Sequence, residues 1–385
     1  MKNNSLGKKV DEVKIHRGLK EVYLDRTKSS YVDGKNGKLY YRGFNINELA
    51  NNSTFEEVSY LLIYGKLPNK SELSQITQLM TDKRDIPSEM IDLIDSIKHL
   101  HPMDVLRTTI SALAAFDNKL DDESLDANIE RGLSVTAKAP TIVAAHVRLR
   151  NGDKYIPPNK NLSHSANFLY MLFGNEPNDL DAKLIDKDLI LHAEHGLNAS
   201  SFTARVVAST QSDMYSALTA GVAALKGPAH GGAAEGVMKQ AQDIGDESNT
   251  VEYVKNLLSS GGRIMGFGHR VYKTADPRAL ILKKDAKNLS DRKGNPKWFA
   301  ILQSLAECME PYEKKGICEN VDFWTGAIYN LLEIPDDIFV SIFALARIPG
   351  WTAQVTEQLN NNILIRPLLE YVGELDIPYT DIDQR

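Results

Sequence analysis

The nine histidines of this chain differ sharply in their surroundings. Four stand in glycine-rich or polar runs: His192 and His195 in HAEHGLNAS, His230 in GPAHGG and His269 in GFGHRVYKTADPR. His16, His99, His146 and His164 sit alone among charged or apolar neighbours and read as surface or packed residues. His101 heads HPMD at a helix start, where capping or packing suits it. His192 and His195, three apart, would share one helical face. A metal pair is the minority reading, because a zinc-protease helix needs His at four-residue spacing with Glu after the first. Here Glu194 falls elsewhere and no third ligand is evident, so a satisfied buried imidazole suits His192 better. His230 precedes AAEGVMKQAQ, and a helix N-terminus would keep it neutral and able to offer N–H to an anionic oxygen. Spacing by itself favours a plain N-cap there.

His269 precedes a helix start in which Asp276 is a natural N-cap, Pro277 a natural N1 and Arg278 therefore N2. A cationic side chain opposes the dipole at that end, so Arg278 reads as kept for an anionic ligand, a carboxylate or phosphate. Asp322, in ENVDFWTGAIY, is first of all an N-cap, but Phe323 and Trp324 predict a low-dielectric setting. Such a setting raises a carboxyl pKa and makes a better general base. Arg347 in FALARIPGW and Arg366 in ILIRPLLEYVG are charges amid apolar residues, and each needs an anion, a ligand or an internal carboxylate. No P-loop or G-x-S-x-G elbow is present, and GFGHRV lacks the third glycine of a dinucleotide fingerprint.

These groups need a scaffold, and the 385 residues suffice for two domains. A 42% hydrophobic share excludes wholesale disorder, and a net charge of −6 argues against nucleic acid as the main partner. Cys308 and Cys318 form neither a zinc knuckle nor a disulfide framework. The polar N-terminus lacks a signal-peptide core and no run of about eighteen uncharged apolar residues appears, so the expectation is a cytoplasmic protein without a membrane contact. Residues 1–20 read as a charged arm, and SSYVDGKNGKLYYRGF over 29–44 as a β-hairpin. Helical period then takes over: Thr54 and Glu57 look like a capping box, and Pro68, Pro87 and Pro102 punctuate fresh helices. Helices are expected near 123–150 (kinked at Pro140), 161–173, 180–209, 212–226, 232–243, 250–260, 277–289, 297–314, 323–333, 336–346 and 350–360. The fold class is all-α: a large helical domain (1–232 and 335–385), a smaller inserted helical domain (233–334) and a short N-terminal hairpin.

The ordered set HAEHGLNAS, KGPAHGGAAE, GGRIMGFGHRVYKTADPRA, NVDFWTGAIY, ALARIPGW and IRP resembles the citrate synthase family, in particular its compact bacterial and archaeal members, 2-methylcitrate synthases included. The likeness runs from about Gly34 to Tyr371 and leaves the N-terminal arm unaccounted for. It implies that Asp322 takes a proton from the methyl carbon of an acyl-CoA, that His230 donates to the thioester oxygen, and that His269 polarises the ketone of oxaloacetate. His195, Arg278 and Arg347 would hold the oxaloacetate carboxylates, with Arg366 supplied by the partner subunit of a homodimer. The backbone from Gly262 through Arg263, Ile264 and Met265 to Gly266 would meet the adenine of coenzyme A. Lys273, where some relatives carry Arg, would meet its phosphates with less directional bonding.

The expected activity is therefore an acyltransferase reaction of the tricarboxylic acid cycle: acetyl-CoA, oxaloacetate and water give citrate and CoA, with no metal and no cofactor beyond the thioester substrate. Propionyl-CoA as donor is the close alternative, since one methylene is worth only about 1–3 kcal/mol. A non-catalytic helical binding protein would be expected to have lost Asp322, His230 or His269, and all are present. A metal hydrolase built on His192 and His195 is weaker still.

Overall fold

Asparagine and glycine in the DGKNG turn let the chain reverse, with Gly37 at φ 62° and Asp33 accepting from the backbone N–H groups of Lys35 and Asn36. The computed structural model describes residues 14–19 and 21–385, so the arm expected over 1–20 lies mostly outside the described residues. The hairpin forms as β1 (Ser30–Asp33) and β2 (Lys38–Tyr41), paired antiparallel with Ser30 opposite Tyr41. A short β3 (Phe44–Asn45) extends it to a three-stranded sheet, one strand beyond the expectation.

Helices follow in chain order. α1 (Ile46–Asn52), α2 (Phe55–Tyr64), α3 (Lys70–Asp82), α4 (Ser88–Ser96) and α5 (Pro102–Ala112) open the fold. The Thr54 hydroxyl caps α2 at Glu57 N, but the Glu57 carboxylate takes Ser53 instead, so only half of the expected box exists. The reciprocal box is at Asn69 and Glu72. Pro87 and Pro102 sit at helix starts as expected, and His101 caps α5 through Nδ1.

The next helices are α6 (Leu125–Arg150), α7 (His164–Phe173), α8 (Asp179–His192), α9 (Ala199–Ser209) and α10 (Met214–Leu225). α6 runs continuously through Pro140, so the kink or break expected there does not interrupt the helix. The single helix expected over 180–209 is two, because residues 193–198 leave the helix and carry Glu194 and His195. Consequently His192 and His195 do not share a helical face.

A second group comprises α11 (Ala233–Ile244), α12 (Thr250–Ser259), α13 (Pro277–Lys293), α14 (Lys297–Glu313) and α15 (Asp322–Leu331). α16 (Phe339–Asn360) then merges the two helices expected over 336–346 and 350–360. Gly350 explains the merger, since a Cβ there would lie 2.1 Å from the Ala193 carbonyl oxygen; the residue makes room for a neighbouring loop and not for a turn. The stretch Asp336–Asn360 is long and apolar enough to cross a membrane, yet it is almost wholly buried as the spine of the core. α2, α6, α8, α9 and α10 pack around α16, whereas α11 to α15 pack mainly on one another. The second group meets the first through α13 against α1 and α8, and α11 against α16. Lys187 and Asp285 link α8 to α13 at 2.9 Å, and Asp181 receives Arg292 at the other end of the same seam.

Candidate active site

Asp276, Pro277 and Arg278 occupy N-cap, N1 and N2 of α13, as their types predict. Arg278 is buried rather than solvated, and its Nε and Nη2 grip both oxygens of Asp276 at 3.0 and 2.7 Å. That bidentate pair fixes the fork and leaves Nη1 without a partner among the described residues. Burial alone would lower the guanidinium pKa, but Asp276 outweighs it and raises it. Arg347 comes from α16, 1% exposed, with Nε donating to the His192 carbonyl at 2.6 Å and the plane lying 4.8 Å above the Phe343 ring. It forms no ion pair among the described residues, although Glu194 is near enough to offset part of the burial that holds its pKa at about 10. Two fixed cations thus face one region with donors to spare.

Three imidazoles gather against them, all neutral at pH 7. His269 accepts from the backbone N–H groups of Val271 and Tyr272 at Nδ1, both at 3.0 Å, so its proton sits on Nε2. Burial and the neighbouring Arg278 hold it at about 4. His195 lies 5.1 Å away, ring centre to ring centre, and burial followed by Arg278 drives its pKa well below the usual value. His230 is not an N-cap: Gly232 occupies that position of α11, and His230 belongs to the turn before it. Its Nε2 accepts from Ser200 N at 3.3 Å and lies 2.9 Å from Ser200 Oγ, leaving the proton on Nδ1. Burial and then Arg347 hold it at about 4. The Phe343 ring contacts His230, His192 and Arg347 together.

Asp322 is N1 of α15, Val321 being the N-cap, so the carboxylate is not spent on capping. It is buried beside Phe323 and Trp324, and no hydrogen bond reaches its oxygens among the described residues. Burial raises its pKa to about 6, against the lowering pull of His192, Arg278 and Arg347. Asn320 ties this group to His269: its side chain accepts from Asp322 N at 3.1 Å and donates to Gly268 O at 3.1 Å. The backbone of the same residue donates to Gly266 O at 2.9 Å. Burial moves the two kinds of group in opposite directions, the Asp322 carboxyl up to about 6 and the His230 and His269 imidazoles down to about 4.

Other residues meet expectation unevenly. His192 is a satisfied buried imidazole, its Nδ1 3.0 Å from the Asp188 carbonyl, and no three His, Cys, Asp or Glu side chains group to hold a metal among the described residues. Arg366 differs from the reading that likened it to Arg347: it is exposed, on a stretch without regular structure beyond α16. In the loop after α12, Gln240 clasps Arg263 O and Met265 N, each at 2.8 Å, while Gly262 N donates to Leu257 O. Gly266, at φ 77°, fits because a Cβ would lie 2.7 Å from Phe323. Ile264 keeps its backbone N–H and C=O uncommitted among the described residues, and Lys273 stays exposed at the loop's far end. Sequence reasoning missed the supports: Ser200, Asn198 and Trp351 behind His230, Tyr272 beside His195, and Glu194 held by Ser30 and Gln354. Only Asn198, as an N-cap in LNAS, carried a local signal.

A family model described as "Citrate synthase, C-terminal domain" matches residues 18–368. A citrate synthase of Haloferax volcanii is 42% identical over 377 residues, covering 96% of this chain and 99% of that protein. 2-Methylcitrate synthase 1 of Corynebacterium glutamicum is 40% identical over 382 residues, covering 98% and 100%. Among solved structures, citrate synthase from Thermoplasma acidophilum in a ternary complex with carboxymethyl coenzyme A and oxaloacetate superposes with a TM-score of 0.92 at 32% identity, covering 97% of this chain and all of that one.

Proposed function

The chain belongs to the citrate synthase family of acyl-transferring enzymes, and on that premise we propose that it condenses acetyl-CoA with oxaloacetate and water to give citrate and CoA. The observation that carries this reading is geometric: the buried Asp322 carboxyl accepts no hydrogen bond among the described residues, Asn320 ties it to the segment bearing His269, and backbone N–H groups fix the ring protons of His269 and His230. A thioester methyl is a very weak acid, so a carboxylate must act together with a donor at the oxygen where charge collects. Asp322 takes the methyl proton while His230 Nδ1–H bonds that oxygen. Burial and Arg347 disfavour the imidazolium, and a neutral imidazole suits the task because its N–H is an acid weak enough to leave the Asp322 carboxylate basic. The enol carbon then attacks the ketone carbon of oxaloacetate, which Arg278, Arg347 and His195 hold by its carboxylates. His269 Nε2–H polarises the ketone and gives its proton to the new alkoxide. Water finally cleaves the thioester, releasing citrate and the CoA thiol. No cofactor beyond the thioester is invoked, because proton removal, oxyanion support and ketone polarisation each have a residue of this chain to perform them.

Steady-state release of thiol with oxaloacetate and a series of acyl-CoA donors tests the reading. Turnover with acetyl-CoA at higher kcat/KM than with propionyl-CoA supports it; the reverse order makes the enzyme a 2-methylcitrate synthase, and no turnover with either removes the proposal. The acid limb supplies a second check. Asp322 must be ionised to act, so kcat/KM for the acyl donor falls about tenfold per unit as pH drops below about 6. A profile flat from pH 7 to 5 would take the base role from Asp322.

The self-contained packing of α11 to α15 supports a small domain over 233–334, hinged on a large one formed by 1–232 and 335–385. Closure of such a hinge over oxaloacetate would shield the thioester from premature hydrolysis. CoA would lie along 262–266, with Lys273 at its phosphates. The exposed stretch 361–385 carries Leu369, Val372 and Tyr379 bare to solvent, which supports a homodimer in which this stretch covers a partner and delivers Arg366 to its site. Sedimentation should give a dimer, and Arg366→Ala should raise KM for oxaloacetate about tenfold or more with the dimer intact. A monomeric, fully active enzyme would contradict that arrangement. We place the enzyme in the cytoplasm, a setting that the two free cysteines support.

A further inference from the structure

Tyr272 is 1% exposed and lies between the two imidazoles that face oxaloacetate in the reading above. Its backbone N–H donates to His269 Nδ1 at 3.0 Å, and its hydroxyl lies 3.2 Å from His195 Nε2. Its ring centre is 4.7 Å from that of His269 and 5.4 Å from that of His195. A buried phenol needs an acceptor for its O–H, and among the described residues His195 Nε2 is the partner present. The phenol therefore donates, Nε2 accepts, and the proton of neutral His195 is placed on Nδ1. His195 comes from the loop between α8 and α9, whereas Tyr272 comes from the loop before α13. The bond thus crosses between the two helix groups. The same loop is seated on the β1–β2 turn, Lys273 N donating to Gly34 O at 2.9 Å.

We propose that Tyr272 is a positioning residue for oxaloacetate: its main chain helps set the tautomer of His269, and its hydroxyl sets that of His195, so that each ring meets the ketoacid in one tautomer and one orientation. The inference rests on the proposed function, since it assigns no role to Tyr272 apart from that substrate. A purely space-filling tyrosine would need only its ring. The hydroxyl, set against an imidazole on the opposite helix group, makes its effect depend on both groups being in place.

Tyr272→Phe separates the two, because it keeps the ring, the burial and the backbone bond to His269. The expected result is a rise of about five- to tenfold in KM for oxaloacetate, the size of one neutral hydrogen bond. KM for acetyl-CoA should move less than twofold, and the melting temperature should stay within a degree or so of the wild type. A double-mutant cycle adds a readout that a packing role would not move: in a His195→Asn background, Tyr272→Phe should change KM for oxaloacetate less than about twofold, since the partner is already gone. An unchanged oxaloacetate KM in Tyr272→Phe, or equal losses with and without His195, overturns the inference. If the wild type releases no thiol, it is the proposed function that fails; if the wild type turns over and Tyr272→Phe matches it, only the role of Tyr272 fails.

Discussion

Asp322→Asn should lower kcat by about 10³- to 10⁴-fold while oxaloacetate binding stays within about twofold of the wild type. The loss is large because the other carboxylates nearby are already engaged: Asp276 holds Arg278 with both oxygens, and Glu194 is bonded to Ser30 and Gln354. Oxaloacetate binding survives because Arg278 draws its orientation from Asp276 and Arg347 from the His192 carbonyl, neither of which involves Asp322. Stability should move the other way. The folded pKa of about 6 lies above the unfolded value near 3.8, so the carboxyl destabilises the fold progressively as pH rises through that interval and fully above it. Its removal should therefore stabilise the protein at pH 7 by up to ~3 kcal/mol. Thermal melting together with single-turnover kinetics checks both halves: a slower and more stable enzyme is expected, and a slower but less stable one would point to a structural defect.

His230→Ala should cost about 10²- to 10³-fold in kcat, the typical loss on removing one donor from a developing oxyanion. The damage should stay local. Ser200 N also contacts Asn198 Oδ1 at 3.1 Å, and Ser200 Oγ still receives Trp351 Nε1 at 3.1 Å, so no buried donor loses its last partner. Thiol release should fall while the pH of the acid limb stays within about half a unit, because that limb belongs to Asp322. A limb displaced by a full unit or more would mean that His230 takes part in the titration and is not a neutral donor.

Local sequence was enough for the features decided within a few residues. Asp276-Pro277-Arg278 gave its cap geometry away, Phe323 and Trp324 announced the low dielectric around Asp322, and the DGKNG turn announced the hairpin. Features decided by distant neighbours were not legible. Pro349-Gly350 reads as a helix break, yet the glycine serves the loop that passes over α16 from 157 positions earlier in the chain, where Gly350 meets Ala193. The stretch 180–209 reads as one helix because its apolar period persists, while the Glu194 carboxylate, bonded to Ser30 and Gln354, stabilises a loop in the middle. Arg366 in ILIRPL looks like a core arginine only because its neighbours are apolar, and in the single chain those neighbours face solvent. The tautomers of His230 and His269 were equally hidden, since they depend on backbone N–H groups that the fold aims at one ring nitrogen.

Exchange of the acetyl-CoA methyl protons with deuterated water isolates the first chemical step from all that follow. The enzyme is held with a four-carbon 2-hydroxy dicarboxylate, which fills the ketoacid's place but offers no carbonyl to attack, and the methyl signal is followed by proton NMR. Wild type should wash the methyl protons out, whereas Asp322→Asn and His230→Ala should leave them in place on the same timescale. Equal exchange in wild type and Asp322→Asn would show that the proton leaves by another route.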